Sequence, residues 1–278
     1  MNRFKRILCV AGPAASGNSA LKRAVALARN NHAELSLVDV VPRVTAGIGM
    51  PAGGPASAAL QAAWVKEHTQ GLESLIEPYR QTMEIRTRVL IGVPFHEVIL
   101  EVLREGQDLL IKDAEQWDWL DRVFGSDDMH LLRKCPCPVW LIRPQAPETY
   151  RHILAAVDVD ENYPPAELKV RQAMNRQILE MASSLALAEF AQLHVVHVWN
   201  AIGESTMRGA FMNIPEDDVS AYVEHVRRLR EAALQAMMRE VQGNLGKEAL
   251  DYLKPQRHLL KGWARREIPL LARRIDAD

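Results

Sequence analysis

The chain has 278 residues, 48% of them hydrophobic and 25% charged, with a formal net charge of −1. That is the profile of an ordinary globular protein, long enough for two compact domains. It excludes an overall electrostatic field that would favour nucleic acid or an anionic membrane.

The opening MNRFKRILCV carries basic residues and then an apolar run too short for a signal segment or a membrane span. RILCVA and ELSLVDVV read as strands, and SALKRAVALARNN between them places Leu21, Val25 and Ala28 on one helical face. GMPAGGPASA is a loop, and the stretch from Ala59 to Gln81 is a long amphipathic helix. TRVLIG follows as a strand, PFHEVILEVLREG as a helix, and DLLI and PVWLIR as two further short strands. Between those two lies a segment with an FGSDD step that resembles the start of a phosphate-gripping helix. Cys135-Pro-Cys137-Pro ends it. With C-x-C spacing and no second pair, these cysteines read as small buried hydrophobes, not as a metal or redox motif. Cys9 falls inside the first strand. So sparse an odd set of thiols suits a reducing cytosol, and the chain reads as cytoplasmic.

After RPQAPETYR, a proline-bearing linker, the pattern begins again. HILAAVD matches RILCVAG at an offset of 146, FAQLHVVHVW matches HAELSLVDVV at 158, and HLLKGWARREIP matches RVLIGVPFHEVI at 170. Three collinear matches indicate a tandem duplication, with domains at 1–146 and 147–278. Alternating strands and helices predict parallel sheets covered on both faces, hence doubly wound α/β domains. Asp278 corresponds to Asp108, so the second half reaches the point where a fourth strand would start and lacks strands 4 and 5 in this sequence. His194 and His197 lie three apart in one strand and point to opposite faces, which argues against a shared metal. VRRLREAALQAMMREV carries a Met/Leu stripe that reads as core, and the arginines of GWARREIPLLARRI as a solvated helix face.

The order of elements, LLRKCPCPVWLIR, the Gly92-x-Pro94 step and the first strand of the second half ending in Asp158 resemble the universal stress protein family in its tandem two-domain form. The resemblance implies flavodoxin-like five-stranded parallel sheets of order 3-2-1-4-5, with any ligand at the carboxyl ends of the strands. Nucleotide-binding members carry a G-x2-G-x9-G-[ST] loop after the fourth strand. Anchored on Gly125-Ser126, that spacing puts Lys112 and Glu115 where the first two glycines belong. The aspartate that ends the first strand in such members is Gly12 here, and survives only as Asp158. From Lys112 to Asp128, six acids face two bases, a local charge of −4. With Ser126 as the helix cap, Asp127 and Asp128 fall in the first turn and already satisfy its dipole.

The resemblance therefore implies a cytosolic stress-response protein that acts through binding, not catalysis, with a degenerate nucleotide site in its first domain. Positions carried over by family are Gly12, Val40, Gly92, Gly125 and Ser126 in the first half, and Asp158, Val198 and Gly262 in the second. No cofactor and no metal is expected. Three alternatives stand beside this reading: an ATP-binding member with weak ATPase activity, a binder of an apolar or lipid-like metabolite between the domains, and a structural adaptor using Trp117 and Trp119. Expected partners are the two domains for each other, a second copy in a homodimer, and an unknown protein or small molecule, but neither nucleic acid nor membrane. A chain continuing past Asp278 with a G-x2-G-x9-G-S loop would turn the second half into an ATP site.

Overall fold

In β1 (Arg6–Val10) every residue after Arg6 is buried, as in a parallel strand covered on both faces. Ile7 and Cys9 enter one apolar layer with Leu21 and Val25 of α1 (Ser19–Asn31) and Leu72 and Ile76 of α2 (Pro55–Ile76). Leu8 and Val10 enter the opposite layer with Val98 and Val102 of α3 (Pro94–Glu105) and Leu131 of α4 (Ser126–Lys134). The two-residue period of a strand thus sends alternate side chains of one segment into two different cores. β2 (Glu34–Val41), β3 (Ile85–Ile91), β4 (Leu109–Asp113) and β5 (Val139–Ile142) complete a parallel sheet in the order β3-β2-β1-β4-β5, the expected 3-2-1-4-5. The computed structural model describes residues 4–12, 18–45, 54–115, 126–143, 147, 149–209, 212, 214–244 and 252–278.

The chain forms two units, Met1–Glu148 and Thr149–Asp278. In the second, β6 (His152–Ala156), β7 (Gln192–Trp199) and β8 (Gln256–Lys261) make a parallel sheet of three strands among the described residues, in that order. Around it run α5 (Pro165–Glu189), the short α6 (Glu204–Met207), α7 (Glu216–Asn244) and α8 (Ala264–Arg274). Leu234 and Met238 of α7 pack with Leu193 and Val195 of β7 and Leu179 and Ala186 of α5. The methionine-bearing stripe is therefore core, as its spacing suggested.

Offsets read from the sequence reappear as hydrogen bonds. The Ala11 N–H donates to Val38 O at 2.7 Å, and its counterpart Val157 N–H donates to Val196 O at 2.9 Å. The Gly92 N–H donates to Val41 O at 3.0 Å, and the Gly262 N–H to Trp199 O at 2.9 Å. Both glycines have positive φ, 154° and 146°, where side chains are strained. The Asp108 carboxylate accepts from the Lys5 N–H at 2.7 Å, and the Asp278 carboxylate accepts from the His152 N–H at 2.9 Å. Asp278 occupies in the second unit the place that Asp108 holds in the first.

Side-chain polarity is not repeated. In the first unit Glu101, 3% exposed, accepts from Arg88 at 2.9 Å and from Arg104 at 2.6 Å. The same three positions in the second unit are Leu271, His258 and Arg274. There His258 stacks on His194 with centroids 5.2 Å apart, and His194 Nδ1 lies 2.9 Å from His258 Nε2. His152 meets His194 edge-on at 6.0 Å. An ion network under one sheet is thus replaced under the other by three histidines, one from each strand.

Candidate functional site

Each sheet has a cleft at the carboxyl ends of its strands, where a parallel sheet leaves backbone groups and loop residues free to meet a ligand. The first cleft, about 460 Å³, is lined by Gly12 and Val40 with Phe95, Lys112, Glu115 and Asp127. Its end between β4 and α4 is filled from within. Lys112, 8% exposed, donates from Nζ to Asp128 Oδ1 at 2.6 Å and to Glu115 Oε1 at 2.9 Å. Asp128, fully buried in the first turn of α4, takes the Glu115 N–H on its other oxygen at 2.9 Å. A carboxylate of the protein therefore holds both the cation and the backbone donor at this end of the cleft.

This geometry corrects the charge reading. Asp128 is no free repulsive charge, because Lys112 neutralises it in a contact buried on both sides. Sequence reasoning treated Lys112 as a lost glycine and as one of two bases set against six acids, not as the buried partner of Asp128. The available signal was a lysine inside the otherwise apolar strand LLIKD, which needs a buried partner. Ser126 is itself the first residue of α4, which leaves Asp127 and Asp128 in the first turn. Gly92 does not line the cleft; it ends β3 and turns the chain into α3. Gly125, Trp117 and Trp119 lie outside the described residues.

The second cleft is larger, about 660 Å³, and Asp158, Val198 and Gly262 all line it. Asp158 is engaged: its Oδ2 accepts from Arg171 Nη1 at 2.8 Å and from the Tyr163 hydroxyl at 3.1 Å, and its Oδ1 from the Asp160 N–H at 3.1 Å. The Arg171 guanidinium carbon lies 3.7 Å from the Tyr163 ring centroid, a cation–π stack that holds both. Burial first, then the Asp158 charge, pushes the Tyr163 phenol up from its usual pKa. Asn175 closes the same turn, accepting from the Asp158 N–H at 3.1 Å and donating to Asp158 O at 2.6 Å. Arg230, nearly buried, meets Asp160 at 2.7 Å.

His197 is 3% exposed with Nδ1 3.1 Å from Val157 O, while its buried Nε2 has no hydrogen-bond partner among the described residues. Burial pushes its pKa down, so the imidazole stays neutral at its ordinary value and some way below it. His194 faces the other side of β7, as the strand period required, and no group of three metal-ligating side chains arranged for an ion occurs among the described residues. One wall of this cleft is apolar and open, with Val170, Met174, Ile202 and Trp263 59%, 55%, 71% and 73% exposed. Tyr163 and Arg171 escaped sequence reasoning because both lie outside any motif, and His197 was read only as a histidine facing away from His194; only the fold gathers the three beside Asp158.

A parallel sheet of this order with a cleft at its switch point defines an α/β protein of nucleotide-binding-like architecture. The model of the universal stress protein family matches residues 3–143, and the chain belongs to that family. It is similar to Universal stress protein E of Escherichia coli (strain K12), 31% identical over 185 residues that cover 66% of this chain and 53% of that protein. The chain thus spans about half the length of the first curated relatives it matches. A homolog of Universal stress protein E from Haemophilus influenzae is 24% identical over 287 residues, covering 99% of this chain and 86% of its own. Among solved structures, a universal stress protein from Pseudomonas aeruginosa UCBPP-PA14 superposes with a TM-score of 0.66 at 24% identity, covering 99% of this chain and 81% of that one. No helix among the described residues is long and apolar enough to cross a membrane.

Proposed function

We propose that this chain is a cytosolic, non-catalytic stress-response protein built from two tandem flavodoxin-like repeats, 1–146 and 147–278, that works by binding. Its first cleft is a retired nucleotide site, and its second, around Asp158, Val198 and Gly262, is the one that takes a ligand. The buried Lys112–Asp128 pair carries this reading. To seat a triphosphate at the first cleft, the protein would have to break that pair or place phosphate beside Asp128. Either course costs several kcal/mol in a site of low effective dielectric.

The test is thermal denaturation with millimolar ATP and Mg²⁺. The expected result is no saturable rise in Tm. A saturable rise that survives Asp158→Asn in the second cleft would overturn the assignment of the first cleft and support a nucleotide-binding member with weak ATPase activity. A second reading, an apolar metabolite in the second cleft, is favoured by the exposed wall of Val170, Met174, Ile202 and Trp263. Native mass spectrometry of freshly purified protein separates the two, because a co-purified apolar mass lost in Met174→Glu belongs to that wall.

A further inference from the structure

The stretch Cys135-Pro136-Cys137-Pro138 links the end of α4 to the start of β5. Each cysteine precedes a proline, which drives its backbone away from the helical region toward extended geometry. In an extended segment residues two apart share a face, so the alternation of cysteine and proline itself brings two thiols to one side. The structure bears this out: the two Sγ atoms are 3.6 Å apart and both residues are half-exposed. They pack against the apolar core, as the reading of small hydrophobes had it, but they are half-exposed and not buried. That reading discounted C-x-C because it lacks the metal-site interval, whereas the prolines supply the juxtaposition.

The surroundings differentiate the two sulfurs. A hydrogen bond from the Cys137 thiol holds Cys135 down to about 7, against the opposing effect of burial. The same contact, with burial, pushes Cys137 well up. Cys135 is therefore the thiolate and nucleophile of the pair, with Cys137 the proton-bearing neighbour. Cys9, fully buried and pushed up by that burial, is held out of such chemistry.

We propose that Cys135 and Cys137 form a peroxide-sensitive redox pair that closes to a disulfide within the chain. The Cys135 thiolate attacks one oxygen of hydrogen peroxide. An S–O bond forms, the O–O bond breaks, and the leaving hydroxide takes a proton to become water. The Cys137 sulfur gives up its proton and attacks the sulfenic sulfur of Cys135. The S–S bond forms and the second oxygen leaves as water. Two thiols lose two electrons and one peroxide becomes two waters. The sulfurs need only approach from 3.6 Å to the roughly 2.05 Å of a disulfide.

The test is stoichiometric hydrogen peroxide on reduced, folded protein, followed by intact and peptide mass spectrometry. The expected product has lost two hydrogens, with the cross-link inside the peptide that holds both cysteines, Cys9 still alkylatable after unfolding, and full reversal by dithiothreitol. In Cys137→Ser the reaction stops one step earlier, and dimedone captures a sulfenic acid at Cys135; in Cys135→Ser no dimedone adduct forms. Serine is close to isosteric with cysteine, and circular dichroism confirms that both variants fold. Three free thiols surviving while glutathione in the same tube is oxidised would overturn the proposal. So would a disulfide between two chains, or dimedone capture at Cys137 in Cys135→Ser.

Discussion

Two copies of one topology in this chain treat the same positions with opposite chemistry. At the end of its first strand the first unit has Gly12 and a cleft closed by Lys112 and Asp128, whereas the second has Asp158 and an open, partly apolar cleft. Beneath the sheet the first unit uses Arg88, Glu101 and Arg104, whereas the second uses His258 with Leu271 at the glutamate's place. Backbone bonds at strand ends and glycine turns are the same in both. Main-chain geometry is what a duplicated fold must keep, because each sheet needs the same crossovers. Buried polar groups need only be satisfied locally, so they are free to diverge.

The strongest way to break this comparison is at the buried ion pair. Asp128→Ala leaves the Lys112 ammonium in a low-dielectric site and is expected to cost the first unit about 3–5 kcal/mol. Replacing both partners, Lys112→Met with Asp128→Leu, should be close to neutral. Urea unfolding read by hydrogen exchange in β1 and β4 measures both, with β6 and β7 as an unaffected reference. A single variant as mild as the double one would mean that Glu115 and water hold Lys112 equally well.

Conserved backbone geometry predicts a matched, smaller effect. A Cβ at Gly92 would sit 2.5 Å from Glu97 Oε1, and one at Gly262 would sit 2.8 Å from Glu267 Cγ, both at positive φ. Gly92→Ala and Gly262→Ala should each cost about 1–3 kcal/mol, one per unit and nearly equal. A large inequality in the denaturation midpoints would show that the two turns are not equivalent.

The smallest effect is one of pH. Burial first, then neighbouring histidines, lowers the pKa of His194 below its ordinary 6.5, and burial with Arg274 lowers that of His258. The unfolded chain then binds more protons than the folded one, so stability is full above pH 6.5 and falls as pH drops through that value. Protection factors across β7, corrected for the intrinsic pH dependence of amide exchange, should therefore fall between pH 7 and pH 5, and His194→Leu should flatten the slope. An unchanged slope in that variant would exclude the pair as its source.

The first sheet was legible because strand periodicity, proline-initiated helices and glycine turns are local signals, and three collinear repeats fixed the second unit by analogy with the first. What stayed hidden depends on contacts between distant residues. Lys112 meets Asp128 across sixteen positions, and Arg171 meets Asp158 across thirteen, and no spacing rule couples either pair. Gly12, Val40, Asp158, Val198 and Gly262 reach clefts because strand ends converge there in a parallel sheet, which topology alone dictates. Gly92 does not line the first cleft, although its counterpart Gly262 makes the same strand-to-helix turn and lines the second.

The aspartate clasp at the base of each sheet has one more implication. Asp108 touches the backbone of Lys5 and Asp278 that of His152, so residues more than a hundred apart in sequence become neighbours in space. In each unit the clasp ties the start of the first strand to the segment just after the helix that follows the third strand, so the same carboxylate position locks the three-strand half of both copies.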